Sequence, residues 1–338
     1  MNRLRSDTLM GKNSIREKNR TLIQRTLFQH KRMFASDLVK ETGISMVTIN
    51  SLLKELMESG SIYEGELVQR DIGRPAIEYH FNDNYSHALL LAILEKNGQL
   101  ILKAECVDLD GTVLAKDEFG FNHKSLNDFL DLLSALLNNH PNVERIGLLF
   151  PGKVHDGIIQ SGYGVVFDGW PIVEAVKIVT DLPFYVQNDA HLVTIGHCIQ
   201  NMIPFDETIV GIYYPNTSMP GVTIFTNGQL LEGHLSLAGE AKYLPFLIDA
   251  KPPQSNEEHI ERLTQLIGIY NVTIAPHRFV LSSNYWEIGK VVDQLNNHPD
   301  ISRQPNRTDF EFVTDYEAAM SLGLRWLIYQ DTPFHLSV

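Results

Sequence analysis

From about residue 86 onward, predicted strand hairpins alternate with amphipathic helices, and the alternation occurs twice. The first run, HALLLAILEKNGQLILKAECVDLDGTVLAKDEF, predicts successive strands with tight turns at Asn97-Gly98 and Asp110-Gly111. SLNDFLDLLSALLNNH then predicts an amphipathic helix, and RIGLLFPGKV predicts a buried strand. A second run begins near residue 205 with ETIVGIYY. This order of elements predicts two α/β lobes with a cleft between them.

The first eighty residues have a different pattern, that of three helices followed by a β-hairpin. Apolar residues on one face predict a helix over 14–30. Ser36 is a predicted N-cap for a second helix, which Gly43 would end. Ser45 is a predicted N-cap for a third helix, MVTINSLLKELMESG. The segments SIYEGELV and IEYHF predict the two strands of the hairpin, joined through QRDIGRPA.

Two helices joined by a short glycine-containing turn are the helix-turn-helix layout, in which the second helix enters the major groove. Short polar side chains near the start of such a helix suit contacts with base edges and phosphates. A hairpin ending in Gly-Arg-Pro suits insertion of a guanidinium into a minor groove. The residues predicted to contact DNA are Ser45, Met46, Thr48, Asn50, Ser51, Lys54, Arg70 and Arg74. A protein-docking module is the alternative interpretation of the same elements.

The charge distribution favours DNA over that alternative, although the net charge of the chain is −13. Residues 1–40 contain 10 Lys and Arg against 3 Asp and Glu, whereas residues 81–338 contain 15 against 31. A basic end on an acidic body is expected when only that end meets phosphate. The 2 cysteines, Cys106 and Cys198, are too few for a disulfide scaffold. No apolar run suggests a membrane span or a secretory signal, so we expect a cytoplasmic protein.

Several segments together resemble one family. FASDLVKETGISMVTINSLLKELMESGSIYEGE followed by GRPAIEYHFN is similar to the N-terminal domain of repressors in the ROK family (repressors, open reading frames and sugar kinases). In those repressors a serine stands where this chain has Asn50, which leaves the base preference open. Further resemblances, spread over most of the remaining chain, are LLFPGKVHDGII, VVFDGWPIVEAV, VQNDAHLVTIGH and TNGQLLEGHLSLAGEAKYL.

The resemblance implies an α/β fold in two parts. A winged helix-turn-helix domain would occupy residues 1–83, and an actin-like, sugar-kinase-like (ribonuclease H-like) domain would occupy residues 84–338. The second part would comprise lobes at about 84–204 and 205–338 and would serve effector binding and oligomerisation.

The kinase phosphate-binding turns of the family are degenerate in this chain. The first turn follows an Asp-x-Gly-x-Thr pattern, and Lys96 and Leu100 stand at its Asp and Thr positions. The second is a glycine-rich run, aligned with Thr217 to Gly221, in which Pro220 removes a backbone donor. We therefore expect no catalytic residues, no nucleotide cofactor and no kinase activity.

The sugar side of the cleft keeps more of the family pattern. The resemblance implies ligand contacts from Gly169, Trp170, Asn188, Asp189, Glu240 and Tyr243. Asn188 and Asp189 match the pair whose aspartate acts as a base in family kinases, yet a helix cap is the commoner role for such pairs. Glu240 matches a sugar contact, with a helix N-terminal carboxylate as the alternative role. The family's zinc-binding His and cysteines have no counterparts, so we expect no metal.

These observations predict a transcriptional regulator, most simply a repressor of carbohydrate-related genes. Its partners would be a palindromic double-stranded DNA operator, a sugar or sugar phosphate effector, and further copies of itself in a homodimer or homotetramer. Two alternatives remain open at this point. One is an active ROK sugar kinase, and the other is a regulator controlled by a protein partner with no sugar ligand.

Overall fold

The computed structural model describes residues 3–69, 75–96, 98–162, 166–215, 218–283 and 288–338. The predicted wing residues Arg70 and Arg74, and the turn residues Asn97 and Thr217, lie outside these ranges. Within them, no helix is both apolar enough and long enough to cross a bilayer.

The N-terminal part contains three helices and a small antiparallel sheet. The helices are α1 (Arg3–His30), α2 (Ala35–Thr42) and α3 (Met46–Glu58). The strands β1 (Arg32–Phe34), β2 (Ile62–Val68) and β3 (Ala76–Phe81) form a sheet in the order β1-β3-β2. We call this part, residues 3–83 where described, the head.

The ends of α2 and α3 show how the local sequence fixes the turn between them. Gly43 adopts a φ of 70° and ends α2 in the left-handed conformation, as predicted. The Ser45 side chain accepts a hydrogen bond from the Thr48 N–H and so caps α3, also as predicted. The predicted N-cap role of Ser36 is wrong, because α2 begins at Ala35 and Phe34 occupies the cap without a side-chain bond. Ser36 therefore lies within the first turn.

The first α/β lobe is built on a five-stranded sheet in the order β10-β7-β4-β5-β6. Its central strand β4 is buried on both faces: Leu89 and Leu91 pack into one core cluster, and Leu90 and Ala92 into another. Helices α4 and α5 cover one face. The elements are β4 (His87–Lys96), β5 (Gln99–Val107), β6 (Val113–Gly120), α4 (Leu126–Asn139), β7 (Val143–Phe150), α5 (Ile172–Val179) and β10 (Phe184–Asn188), with a hairpin of β8 (Gly152–His155) and β9 (Ile158–Gly162).

The second lobe is built on another five-stranded sheet, in the order β13-β12-β11-β14-β15. The two five-stranded sheets and their helices confirm the predicted mixed α/β fold class. Helix α6 (Asp189–Gln200) leads from the first sheet to the second. The elements of the second lobe are β11 (Thr208–Tyr213), β12 (Gly221–Thr226), β13 (Gln229–Leu230), α7 (Asn256–Thr273), β14 (Arg278–Ser282), α8 (Ile288–Asn297), α9 (Pro299–Ser302), β15 (Asp309–Phe312) and α10 (Tyr316–Tyr329).

Helices α6 and α10 pack against each other at backbone contact distance. A Cβ at Gly196 would collide with the carbonyl of Ala319, and a Cβ at Gly323 would collide with the carbonyl of Leu192. Glycine at both positions is therefore required for this crossing. The carboxyl end of α10 also packs against β7, so the last helix lies on the sheet of the first lobe.

The head and the α/β body share one hydrophobic core. Phe334, which follows α10, makes edge-to-face contacts with Phe28 of α1 and Phe81 of β3, at centroid distances of 5.5 and 5.7 Å. Above this aromatic cluster, Lys31 donates to Asp83 at 2.7 Å and lies 2.6 Å from Asp110 of the β5–β6 turn. Apolar burial and a partly buried ion pair thus join the two parts.

Replacing Phe334 with Ala should destabilise the protein and loosen the head, because a side chain only 8% exposed leaves a cavity beside Phe28 and Phe81. We expect the free energy of unfolding to fall by about 3 kcal/mol and amide exchange in α1 to increase. Denaturant unfolding and hydrogen–deuterium exchange measure both effects. Ile178→Ala, at a position 83% exposed, is the control and should change stability by less than about 0.5 kcal/mol. Equal effects from the two variants would refute the shared core.

Candidate functional site

Helix α3 presents a polar face to solvent while its apolar face anchors it to the head. Its buried residues are Ile49, Leu52, Leu53 and Leu56. The residues that sequence analysis assigned to DNA contact lie on the opposite side: Ser45, Met46, Asn50, Ser51 and Lys54 are exposed, and Thr48 is half-buried. The structure therefore brings these six residues together on one accessible surface.

Two further side chains belong to this surface and were not assigned to it from the sequence. Val47 has an apolar side chain of the kind expected in a core, yet it is 82% exposed. Arg16 of α1 donates to the Ser51 hydroxyl at 3.3 Å and forms an ion pair with Glu55. Residue type alone did not distinguish Val47 from a core residue, because valine is most often buried.

A cavity of about 540 Å³ lies between the two lobes. Its walls come from β8, the β10–α6 junction, the segment before β12, and the loop after β13. Asn188, Asp189 and Glu240, three of the predicted ligand contacts, line it. Gly239 lets the loop pack against β12, because a Cβ there would collide with the carbonyl of Val222.

Asn188 is the N-cap of α6 as well as a cavity residue. Its side-chain oxygen accepts hydrogen bonds from the N–H groups of Ala190 at 2.8 Å and His191 at 3.4 Å. Its side-chain nitrogen donates to the Gly152 carbonyl at 2.9 Å. Asn188 therefore joins the start of α6 to strand β8, and its hydrogen bonds are directed to protein groups.

Asp189 and His191 occupy the same helical turn and have strongly shifted pKa values. Burial raises the pKa of Asp189 to about 7, although the Ala190 N–H donates to its carboxylate. Burial lowers the pKa of His191 to about 4, opposed by the nearby Glu232. Near neutral pH the cavity thus holds an aspartate that exchanges a proton and a neutral histidine, a pair suited to hydrogen bonding with hydroxyl groups.

Glu240 faces the same cavity from the second lobe. Lys242 lies 3.3 Å from its carboxylate, and both residues line the cavity. Tyr243, the other predicted contact in this segment, is 60% exposed and does not appear among the cavity walls. The Lys242 ammonium lies 5.3 Å from the centre of the Tyr243 ring.

The predicted pocket-wall residues Gly169 and Trp170 lie elsewhere in the first lobe. Gly169 adopts a φ of 82° and donates its N–H to the Ile159 carbonyl at 2.7 Å. The Trp170 ring packs edge-to-face on Phe167 with centroids 5.0 Å apart. Neither residue belongs to the walls of the cavity in this conformation of the chain.

Side chains at the ends of strands β4 and β11 contact other side chains of the chain. Lys96 donates to both carboxylate oxygens of Glu118 at 3.1 Å. Tyr213 and Tyr316 lie against each other with ring centroids 5.7 Å apart, and burial raises the pKa of both. Pro220, which sequence analysis aligned with the second phosphate-binding turn of the family, lines the cavity.

No protein-family model matches the chain, and no curated protein matches it in sequence. Solved structures do match it. A ROK family transcriptional regulator, a homologue of the E. coli MLC protein, shares 16% identity with a TM-score of 0.62, and the match covers 93% of this chain and 97% of that one. The chain has the ROK fold.

Two further ROK structures support this assignment of the fold. A ROK family protein from Streptococcus pneumoniae, solved in complex with sucrose, shares 17% identity and a TM-score of 0.55 over 71% of this chain and 96% of its own. A ROK glucokinase from Streptomyces griseus, in complex with glucose and AMPPNP, shares 13% identity and a TM-score of 0.53 over 72% and 99%. The resemblance inferred from sequence is thereby confirmed at the level of the fold.

Replacing Asp189 with Asn should stabilise the folded ROK-fold protein at alkaline pH. In the unfolded chain an aspartate ionises near pH 3.9, whereas the pKa of Asp189 in the folded chain is about 7. Between these values unfolding releases a proton, so the contribution of Asp189 to stability falls as pH rises. We expect the variant to gain about 1–3 kcal/mol at pH 8, a range reduced for partial solvent screening, and almost nothing at pH 4.

The measurement is the denaturant midpoint of both proteins across this pH range. A difference of the same size at pH 4 and pH 8 would contradict the burial of this carboxyl group.

Proposed function

We propose that the chain is a DNA-binding transcriptional regulator whose head is a winged helix-turn-helix. The observation that carries the proposal is the surface of α3, where six short or flexible side chains are accessible. The opposite face of this helix packs into the core of the head. An exposed, well-anchored helix preceded by a glycine turn is the arrangement that enters a major groove. The basic charge of residues 1–40 supplies attraction to phosphate.

The extent of the structural matches also supports a regulator. The match to the ROK regulator covers 93% of this chain, whereas the match to the glucokinase covers 72%. The difference corresponds in length to the head. On this basis we place the domain boundary near residue 83, with residues 84–338 forming the effector and oligomerisation part and its lobes meeting near residue 205.

The body acts, in this proposal, as a sensor without catalysis. Lys96 and Leu100 replace the family's Asp and Thr, and Pro220 interrupts the second phosphate turn. The cavity between the lobes keeps Asp189 and Glu240, whose carboxylates suit the hydroxyls of a carbohydrate. The S. pneumoniae ROK protein binds sucrose in its crystal structure, which supports a carbohydrate as the class of ligand.

Ligand binding is coupled to the head through a change in lobe closure. A ligand that contacts both lobes stabilises one relative position of them, and the head packs on the final helix and tail of the body. As a homodimer or homotetramer, the protein would present two heads to a palindromic operator, and effector binding would alter their spacing.

Two substitutions separate sequence recognition from phosphate attraction. In binding assays with genomic fragments selected by the purified protein, Asn50→Ala should reduce discrimination against unrelated DNA by about 1–3 kcal/mol without changing the salt dependence. Arg74→Ala should weaken binding to all DNA and lower the salt slope by about one. The control, Lys177→Ala, should preserve both quantities, because α5 packs against α4, β9 and β10 of the body. Wild-type affinity in both head variants would rule out the proposed interface.

An active sugar kinase is the second candidate function, and Asp189 is the observation that favours it. A carboxyl group with a pKa of about 7 in a cavity between two lobes is suited to accept a proton from a sugar hydroxyl. Incubating the protein with ATP, Mg²⁺ and a panel of hexoses would decide between the candidates. Phosphorylation that Asp189→Asn abolishes would establish the kinase, and we expect no turnover.

A further inference from the structure

Several polar side chains on the accessible surface of α3 already have partners within the head. The Ser45 and Thr48 hydroxyl oxygens lie 3.0 Å apart and share a hydrogen bond at the start of the helix. The Ser51 hydroxyl accepts a hydrogen bond from Arg16, which also pairs with Glu55. Three hydroxyl groups that were predicted to contact DNA are therefore bonded to other side chains of the head.

Asn50 differs from these residues because its exposed side-chain amide forms no hydrogen bond with a described residue. An amide presents an acceptor oxygen and a donor nitrogen along one edge. These two groups match the N6 donor and the N7 acceptor of adenine, which lie side by side in the major groove. Asn50 can therefore pair with an adenine without first giving up a bond inside the head.

Two apolar side chains, Met46 and Val47, lie beside Asn50 on the same helix. Met46 is 43% exposed and Val47 is 82% exposed, and neither belongs to the core cluster of the described head residues. Val47 precedes Asn50 by three residues and Ser51 by four, so their Cβ atoms are neighbours on the helix surface, about 5–6 Å apart. The valine is thus located among the groups that would face the bases.

The chemistry of the major groove determines which base suits an exposed valine. The C5 methyl of thymine is the apolar group on the base edges there, whereas guanine and cytosine present polar donors and acceptors. Contact between this methyl and an aliphatic side chain removes apolar surface of both from water. Successive base pairs are about 3.4 Å apart along the duplex, so two neighbouring side chains on a helix reach the same base pair or adjacent ones.

We propose that α3 reads A·T pairs in each half of the operator, with Asn50 hydrogen-bonded to an adenine and Val47 in contact with the C5 methyl of a thymine at the same or the adjacent base pair. This inference rests on the proposed DNA-binding function and specifies the bases that the helix recognises. Val47 determines specificity through its methyl groups, and Asn50 does so through its amide.

The test uses the full chain and a duplex that it selects from a random-sequence library. Each thymine of the selected half-site is replaced in turn by deoxyuridine, which lacks only the C5 methyl. One replacement should weaken binding about fourfold, the loss expected for one buried methyl group. Replacing an adenine at the same or the adjacent base pair by 7-deazaadenine, which lacks the N7 acceptor, should weaken binding about tenfold.

Three variants assign the two effects to side chains. In Val47→Ala the deoxyuridine replacement should change the affinity by less than about 1.5-fold, because the contacting methyl groups are absent. In Asn50→Ala the effect of 7-deazaadenine should disappear while the effect of deoxyuridine remains. Ile178→Ala removes an equally exposed aliphatic side chain from α5 and should keep both effects. Val47 contributes to no core cluster, so its replacement leaves the packing of the head intact.

Three results would overturn the proposal. In the first, no deoxyuridine replacement weakens binding. In the second, the replacement has the same effect in Val47→Ala as in the wild-type protein. In the third, Val47→Ala weakens binding equally to the thymine and deoxyuridine duplexes. Selection of a defined sequence without any methyl effect would refute only the reading of thymine, whereas a library from which no sequence is enriched would refute the proposed DNA-binding function as well.

Discussion

The contact between helices α6 and α10 determines how the other parts of this molecule are arranged. Their backbones meet because Gly196 and Gly323 have no side chains to hold them apart. Helix α6 begins at Asp189, immediately after the Asn188 cap and on the wall of the cavity, and α10 ends at Tyr329, whose ring centroid lies 6.1 Å from that of Phe334. A close-packed pair of helices transmits displacement with little compression, since protein interiors are dense. The cavity and the head are therefore both connected to this pair of helices.

The cavity combines groups that are unfavourable to bury, which is typical of a binding site. Burial raises the pKa of Asp189 and lowers that of His191, so both groups favour their neutral forms in the free protein. A ligand with hydroxyl groups would provide the hydrogen bonds that water provides in its absence. Burying these groups lowers the free energy of unfolding of the free protein. A ligand that binds only the folded state raises that free energy again, because its binding shifts the folding equilibrium.

The sequence was sufficient to predict the fold class, the three helices of the head and the hairpin beside them. The regular spacing of apolar residues and capping residues such as Ser45 and Gly43 are local signals. Such signals can be recognised in the sequence without a structure. The family resemblance located Asn188, Asp189 and Glu240, which the structure places around one cavity.

What the sequence could not provide is information that depends on distant parts of the chain. Nothing near Trp170 indicated that its ring would pack on Phe167 rather than face the cavity. Lys153 also lines the cavity and was not singled out, because its position there depends on the pairing of β8 with β9 and on the hydrogen bond between Gly152 and Asn188. Val47 has the residue type of a core position, and only the tertiary arrangement of the head leaves it exposed.

The aromatic cluster of Phe28, Phe81 and Phe334 has a consequence for the modularity of the chain. Helix-turn-helix domains are commonly regarded as units that can be exchanged between proteins, yet this head completes its core with a side chain from the far end of the sequence. Cut away from the body, it would expose the faces of two phenylalanines to water. Grafting it onto another protein would therefore require an aromatic substitute for Phe334 along with the head itself.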